Sequence, residues 1–250
     1  MNWLSRTFGK KQEEQLPPFD LSGIQVDMHS HLIPGIDDGS RSMDESIALL
    51  AKFESLGYKK VITTPHIIGD YYRNTPETIL GGLEKVRETA EKLKLKIEIE
   101  AAAEYYFDDS LTNRLKKKEK LLTFGDNYVL FEFPMHEAPH NEESLIFELV
   151  AQGYKPVLAH YERYTWLEGD VERAQKWREM GVNIQVNMNS LLGHYGPQVA
   201  SLSSKLVQEQ HIDFLGSDCH RIQHLMLLEE GLTQKVLHEA GALSLKNQQL

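Results

Sequence analysis

From residue 24 onward, short apolar runs alternate with amphipathic stretches seven times, and no Gly/Ser/Pro-rich linker separates them. "IQVDMHSH", "KKVITTPH", "KIEIEAAAEYYF", "NYVLFEFP", "KPVLAH", "VNIQVNMNS" and "DFLGSDCH" read as strands. The intervening segments read as helices. In "MDESIALLAKFESLGY", Ile47, Leu50, Phe53 and Leu56 recur at helical spacing, Ser42 is placed to cap, Glu45 to complete a capping box, and Gly57 to stop the helix. Further helices are expected over 76–95, 110–117, 141–152, 169–180 and 197–210, and a last one from Ile222 to about Ala240. Strands joined by helices must pair mainly in parallel, because a parallel pair needs a long crossover. Seven such units fit a barrel or an open doubly wound sheet; no GxGxxG follows the first strand, which disfavours a dinucleotide-binding sheet.

The strand ends carry the chemistry. His29 and His31 end the first, with Asp38 in the loop beyond; His66 ends the second, Glu104 the third, Glu132 the fourth and His160 the fifth. Asp218 and His220 end the seventh, while the sixth offers no charged group. In parallel α/β folds these ends face one side, so the nine groups converge. In each H-x-H or D-x-H pair, the period of two sends both side chains to one face. One strand-end histidine is more often a surface or satisfied core residue, but nine such placements are hard to assign to accident. Imidazole and carboxylate without thiolate suit Mn²⁺, Zn²⁺ or Fe rather than Ca²⁺. Nine groups exceed what one ion takes, which points to two or three ions sharing carboxylates. His136, His140, His194, His211, His224 and His238 lie off the strand ends or in helices and are read as non-ligands.

Composition sets limits on function. Asp and Glu number 37 against 27 Lys and Arg, a net charge of −10, which argues against a nucleic-acid surface. An anionic substrate then needs local positive charge, which bound metals can supply. Arg163, three residues after His160, fits a phosphate contact or a surface ion pair equally well; Arg41, Arg73 and Arg221 are weaker candidates in strand-to-helix loops. Tyr71, Tyr72, Tyr105, Tyr106 and Tyr161 fit either of two roles, lining a cleft that accepts an aromatic ring or packing on a barrel rim. Cys219 is the only cysteine, so no internal disulfide forms. Leu225 stands six residues later, where a thiolate phosphatase would carry arginine. No apolar run approaches the ~20 residues of a membrane span, and the opening segment lacks a signal-peptide core. The expected organisation is a loosely ordered extension over 1–23, with Trp3, Leu4 and Phe8 beside Lys10 and Lys11, followed by one domain over 24–250 in a cytoplasmic protein.

"DMHSHLIPGIDDGS", "ITTPH", "EYY", "AHYERY" and "SDCH" together resemble the PHP (polymerase and histidinol phosphatase) superfamily. The similarity is closest to its bacterial capsule and exopolysaccharide branch of manganese-dependent tyrosine phosphatases, the CpsB/CapC type, and runs from about residue 24 to 240. It implies a distorted (β/α)7 TIM-like barrel, two or three Mn²⁺ ions, and a substrate in the phosphotyrosine tail of a tyrosine autokinase that controls polysaccharide export. Carried over by motif, His29, His31, Asp38, His66, Glu104, Glu132, His160, Asp218 and His220 are the implied metal ligands. Arg163, Asp38 and His66 are the implied catalytic groups, with Arg163, Arg221 and Tyr161 against the substrate. Tyr161 stands where the branch has Pro, and Arg221 sits at a different offset from the expected second arginine. The nearest rival within the superfamily is a phosphatase of small esters such as histidinol phosphate. A nuclease module is disfavoured by the acidic charge, and a non-catalytic metal-binding regulator by the intact ligand set.

Overall fold

A computed structural model describes residues 16–250. Among them, nine short strands pair in parallel as two ladders. One runs β1 (Val26–Asp27), β2 (Lys60–Thr63), β4 (Glu98–Ala101); the other runs β3 (His66–Ile67), β5 (Glu104–Tyr106), β6 (Tyr128–Glu132), β7 (Lys155–Leu158), β8 (Asn183–Asn187), β9 (Phe214–Gly216). β2 and β3 are one extended run interrupted at Thr64-Pro65, where Pro65 has no N–H to give. β4 and β5 are likewise one run broken at Ala102-Ala103. Pairing continues across both breaks, since Ala102 N–H donates to Thr63 at 2.9 Å and Glu104 N–H to the Pro65 carbonyl at 3.1 Å. The two outer edges also meet. Ser30 bridges Cys219 in parallel, His31 N–H reaches the Cys219 carbonyl at 2.9 Å, and Asp218 N–H reaches the His29 carbonyl at 2.8 Å. The result is a curled parallel sheet.

Every residue of β6 and β8 is buried, as expected for strands covered on both faces. By the period of two, Tyr128, Leu130 and Glu132 share one face of β6. Tyr128 and Leu130 join a small core with Val26, Ile62, Val157, Ala159 and Phe214, and Glu132 stands beyond it at the strand end. The other face carries Val129 and Phe131 into a larger core, which takes Leu145, Ile146 and Leu149 from α4 (Glu142–Ala151). Helices α1 (Met43–Ser55), α2 (Pro76–Lys92), α3 (Asp109–Lys116), α5 (Glu172–Glu179) and α7 (Pro197–Gln208) contribute to the same layer. Ser42 caps α1, its hydroxyl accepting from Glu45 N–H at 3.2 Å, and Gly57 follows the helix at φ +99°. The expected reciprocal bond shifts by one residue: Glu45 accepts from Arg41 N–H at 2.8 Å. The full capping box belongs to α2, between Thr75 and Thr78.

Three expectations are corrected. The last helix is two, α8 (Ile222–Gly231) and α9 (Lys235–Gly241). Gly231 lies so close to Leu192 that a Cβ there would come within 2.4 Å, and Phe19 N–H takes the Leu232 carbonyl at 2.8 Å. The sixth strand stops at Asn187, and "MNSL" turns into α6 (Met188–Leu191). Nor is all of 1–23 loose: Leu21 is buried, the Phe19 ring meets His238 edge-on at 5.4 Å, and His238 Nε2 lies 3.1 Å from the Pro17 carbonyl. An apolar Phe and Leu in that segment had packing partners that local polarity did not reveal. Trp3, Leu4 and Phe8 lie outside the described residues. No helix among the described residues is long and apolar enough to cross a membrane.

Candidate metal centre

Two ligand candidates sit on strained backbone. His160 has φ +33° and Asp218 φ +50°, a left-handed region that costs a non-glycine residue about 1–3 kcal/mol in strained cases. Their N–H groups are fixed from outside: His160 N–H donates to Gln185 Oε1 at 2.8 Å, and Asp218 N–H to the His29 carbonyl. Strain held in this way turns both side chains into the mouth of the curled sheet.

All nine residues expected as ligands meet there. They form four overlapping groups: His31, Asp38, His66, His220; His29, His31, Glu104; His29, His160, Asp218; and His66, Glu104, Glu132. Glu104 is the hub. Its Oε2 lies 3.3 Å from His29 Nε2, 3.5 Å from His31 Nε2 and 3.1 Å from His66 Nδ1, and its Oε1 lies 3.1 Å from His160 Nε2. Glu132 stands 3.2 Å from His66 Nδ1 and 3.6 Å from His160 Nε2. Asp218 Oδ1 faces His29, His31 and His220 at 3.5, 3.6 and 3.4 Å. Asp38, half exposed, closes the rim at 3.6 Å from His66 and 3.4 Å from His220.

Burial pushes the His29 and His66 imidazoles toward the neutral form, but Glu104 and the other carboxylates overcome it and hold both up to about 10. His31 goes the other way, down to about 4, through burial and then repulsion from His220. Burial opposes charge on Asp218 and Glu104, yet the surrounding imidazoles keep both well below the usual carboxylate range. Despite these close charges, Glu104 Oε2, His66 Nδ1 and His160 Nδ1 are buried with no hydrogen-bond partner. Buried polar atoms are rarely left so. A carboxylate oxygen ringed by imidazole nitrogens at 3.1–3.5 Å fits a divalent cation shared between them.

The cleft above these groups encloses about 440 Å³, lined by Tyr72, Met135, Arg163, Tyr195, Arg221 and His224 among others. A larger groove of about 680 Å³ lies beside α3 and α4 and includes none of the nine. Arg163 points into the site: Nη1 donates to Asp218 Oδ2 at 2.9 Å, and the guanidinium covers the Tyr195 ring at 4.6 Å. Exposed Arg221 sits on the rim. Tyr72 stacks on His66, the ring centroids 5.7 Å apart and 10° from parallel. Tyr161 is a correction. It is fully buried, its hydroxyl donates to the Asp170 carbonyl at 2.6 Å and its ring packs edge-on to Trp177, so it cannot touch a substrate in this cleft. Tyr105 is also buried, accepting from Leu122 N–H at 2.7 Å. Cys219 is buried, and burial raises its thiol well above the ordinary value, consistent with chemistry that does not use it.

The sequence reading missed five contributors. Asp37 Oδ2 lies 2.8 Å from His31 Nδ1, although "IDDGS" offered both aspartates. Gln185 and Asn187 reach His29 and Asp218 from β8; the alternation Q-x-N repeats the spacing of H-x-H but carries no charge to draw attention. Tyr195 lies beyond α6, with no strand-end signal. His224, read as a non-ligand, lines the cleft with Nδ1 3.3 Å from the Asp218 carbonyl.

The family described as "Capsular polysaccharide synthesis, CpsB/CapC" matches residues 25–226. The chain belongs to the CpsB/CapC family. Within it, the chain is similar to tyrosine-protein phosphatase YwqE of Bacillus subtilis, 28% identical over 198 residues that cover 79% of this chain and 78% of that one. It is 32% identical over 162 residues to tyrosine-protein phosphatase CpsB of Streptococcus pneumoniae, covering 65% and 67%. The fold agrees, at a TM-score of 0.73 and 28% identity, with a solved structure described among those of YwqE and CpsB, "unique metal-dependent tyrosine phosphatases". That match covers 89% of this chain and 94% of the other.

Proposed function

We propose that this CpsB/CapC chain is a metal-dependent protein tyrosine phosphatase. It acts in the cytoplasm, and its substrate is the phosphotyrosine tail of a tyrosine autokinase that governs capsule or exopolysaccharide synthesis. The observation that carries the metal reading is the unpartnered Glu104 Oε2 among three imidazole nitrogens. Two or three Mn²⁺ ions, held by His29, His31, Asp38, His66, Glu104, Glu132, His160, Asp218 and His220, suit this donor set. We read the two ladders, joined through their broken strands and the Ser30–Cys219 bridge, as one distorted (β/α)7 barrel over 24–250.

When bound, the ions neutralise phosphoryl charge and acidify water enough to attack at cellular pH. The remaining work belongs to side chains. Asp218 takes one Nη of Arg163, leaving other N–H groups of the fork for phosphate oxygens, so the group is oriented as its charge develops. Arg221 on the rim provides a second cation. Tyr72, backed by His66, offers a flat wall to an aromatic leaving group. Asp38 Oδ1, between His66 and His220 at the mouth, is placed to carry a proton between solvent and the site. A phenol leaves with a pKa near ~10, so strong acid assistance is not needed.

The test is activity of the metal-stripped protein with Mn²⁺ restored, on a phosphotyrosine peptide and on histidinol phosphate in parallel. The expected result is Mn²⁺-dependent release from the peptide at least ~10-fold above that from histidinol phosphate. Preference for histidinol phosphate overturns the substrate, and metal-independent activity overturns the mechanism.

A further inference from the structure

β8 contributes none of the nine groups, yet it touches three of them from behind. Gln185 Oε1 lies 3.0 Å from His29 Nδ1 and accepts His160 N–H at 2.8 Å. Gln185 Nε2 donates to Asn187 Oδ1 at 2.8 Å, and Asn187 Nδ2 donates to Asp218 Oδ2 at 2.9 Å. Both amides are fully buried, so no solvent competes for these contacts. A side-chain amide can be turned end for end without changing shape, which ordinarily leaves the direction of such a chain open. Here the His160 backbone N–H decides it. That group can only donate, so the Gln185 carbonyl must face it, the Gln185 amine must face Asn187, and the Asn187 amine must face Asp218.

Two consequences follow for the metal centre. At one end, His29 has to keep its hydrogen on Nδ1, so Nε2 is the nitrogen offered toward Glu104 and Asp218. At the other, Asp218 Oδ2 is taken by Asn187 and Arg163, so Oδ1 is the oxygen offered toward His29, His31 and His220. Midway, the same Gln185 oxygen holds His160 N–H at its left-handed φ. We propose that Gln185 and Asn187 are positioning residues that select the metal-binding atoms of His29 and Asp218, and hold His160, through one directional amide chain. This rests on the metal reading above.

The experiment measures Mn²⁺ affinity by chelator competition on the full chain, for wild type, Gln185→Met, Asn187→Leu and the double variant, with the melting temperature of each metal-free protein alongside. Partners that orient ligands typically contribute ten- to a hundredfold in metal affinity, and a loss of that size is expected for each single variant. The double variant should lose less than the product of the two, because both breaks cut one chain. Asn187→Ser, whose hydroxyl is too short to reach Asp218, gives the same comparison if the Leu variant does not fold. Affinities within twofold of wild type, or losses that multiply, overturn the proposal. So does a fall in metal-free melting temperature with affinity unchanged, which is what a purely structural role gives. A wild-type chain that binds no Mn²⁺ fails at a different arm, and overturns the proposed function together with this inference.

Discussion

The two ends of the curled sheet treat buried polar groups in opposite ways. Where the strands begin, Asn247 fills the seam between β1 and β9: its Oδ1 accepts Leu215 N–H at 3.0 Å, and its Nδ2 donates to the carbonyls of Val26 at 3.0 Å and Leu215 at 2.7 Å. Just above, Ser217 N–H and hydroxyl donate to the two oxygens of buried Asp27 at 2.7 and 3.0 Å. Where the strands end, Glu104 Oε2, His66 Nδ1 and His160 Nδ1 stay without hydrogen-bond partners. A satisfied buried group fastens the fold. Unsatisfied atoms gathered around one carboxylate and its imidazole neighbours fit a place that takes a ligand.

Glu104→Ala attacks the ligand end hardest. It strands several imidazoles without their counter-charge, and breaking a buried pair costs about 3–5 kcal/mol. Mn²⁺ affinity and turnover should fall together by roughly 10²–10⁴. Retention of both by the variant would return the hub to an ordinary buried ion pair.

Metal-free protein should also show the contrast through pH. His29 and His66, raised to about 10 in the fold, lend stability that is full below their unfolded value of ~6.5 and is lost as pH rises through about 10. His31, lowered to about 4, penalises the fold as pH drops below ~6.5. Melting in chelator should therefore peak near pH ~6.5 and decline toward 10 by on the order of a few kcal/mol. Mn²⁺ replaces the protons that the histidines must shed, so the stabilisation it gives should grow over the same interval. A Mn²⁺ shift in melting that is flat from pH 6.5 to 10 contradicts this.

Asn247→Ala strikes the other end. Three contacts and their buried backbone partners are lost, for about 2–4 kcal/mol of stability. Metal affinity and kcat/KM of the remaining folded protein should equal those of wild type, and a change in either would show that the ends are coupled. Arg163→Ala comes next: metal content is retained while turnover on a phosphotyrosine peptide drops roughly ten- to a hundredfold, from a charge-assisted contact of ~1.5–3 kcal/mol. Lys in its place should restore only part, lacking the fork. The smallest effect belongs to His238→Ala, on α9 beside Phe19, with under ~1 kcal/mol in stability and no change in bound metal.

Charge made the convergence of groups at the strand ends readable from the sequence. His, Asp and Glu at the ends of apolar runs carry their meaning locally, because strand direction alone brings them together. Neutral side chains do not. Tyr161 and Tyr72 look alike in the chain, yet one ring enters the core beside Trp177 and the other stacks on His66. Gln185 and Asn187 matter only through the groups that β7 and β9 set beside them. The split of the last helix at Gly231 and the docking of Phe19 depend on contacts between distant segments, which no local period encodes.

The bridge between Ser30 and Cys219 has a bearing on biosynthesis. His29 and His31 leave the ribosome early, whereas Asp218 and His220, which complete three of their contacts, emerge some 190 residues later. A nascent chain, or one cut short before β9, lacks the last strand of the sheet and two of the nine converging groups, Asp218 and His220. On the proposed metal reading, activity should therefore appear only once β9 has been translated, and products terminated before it should be inert rather than unregulated phosphatases.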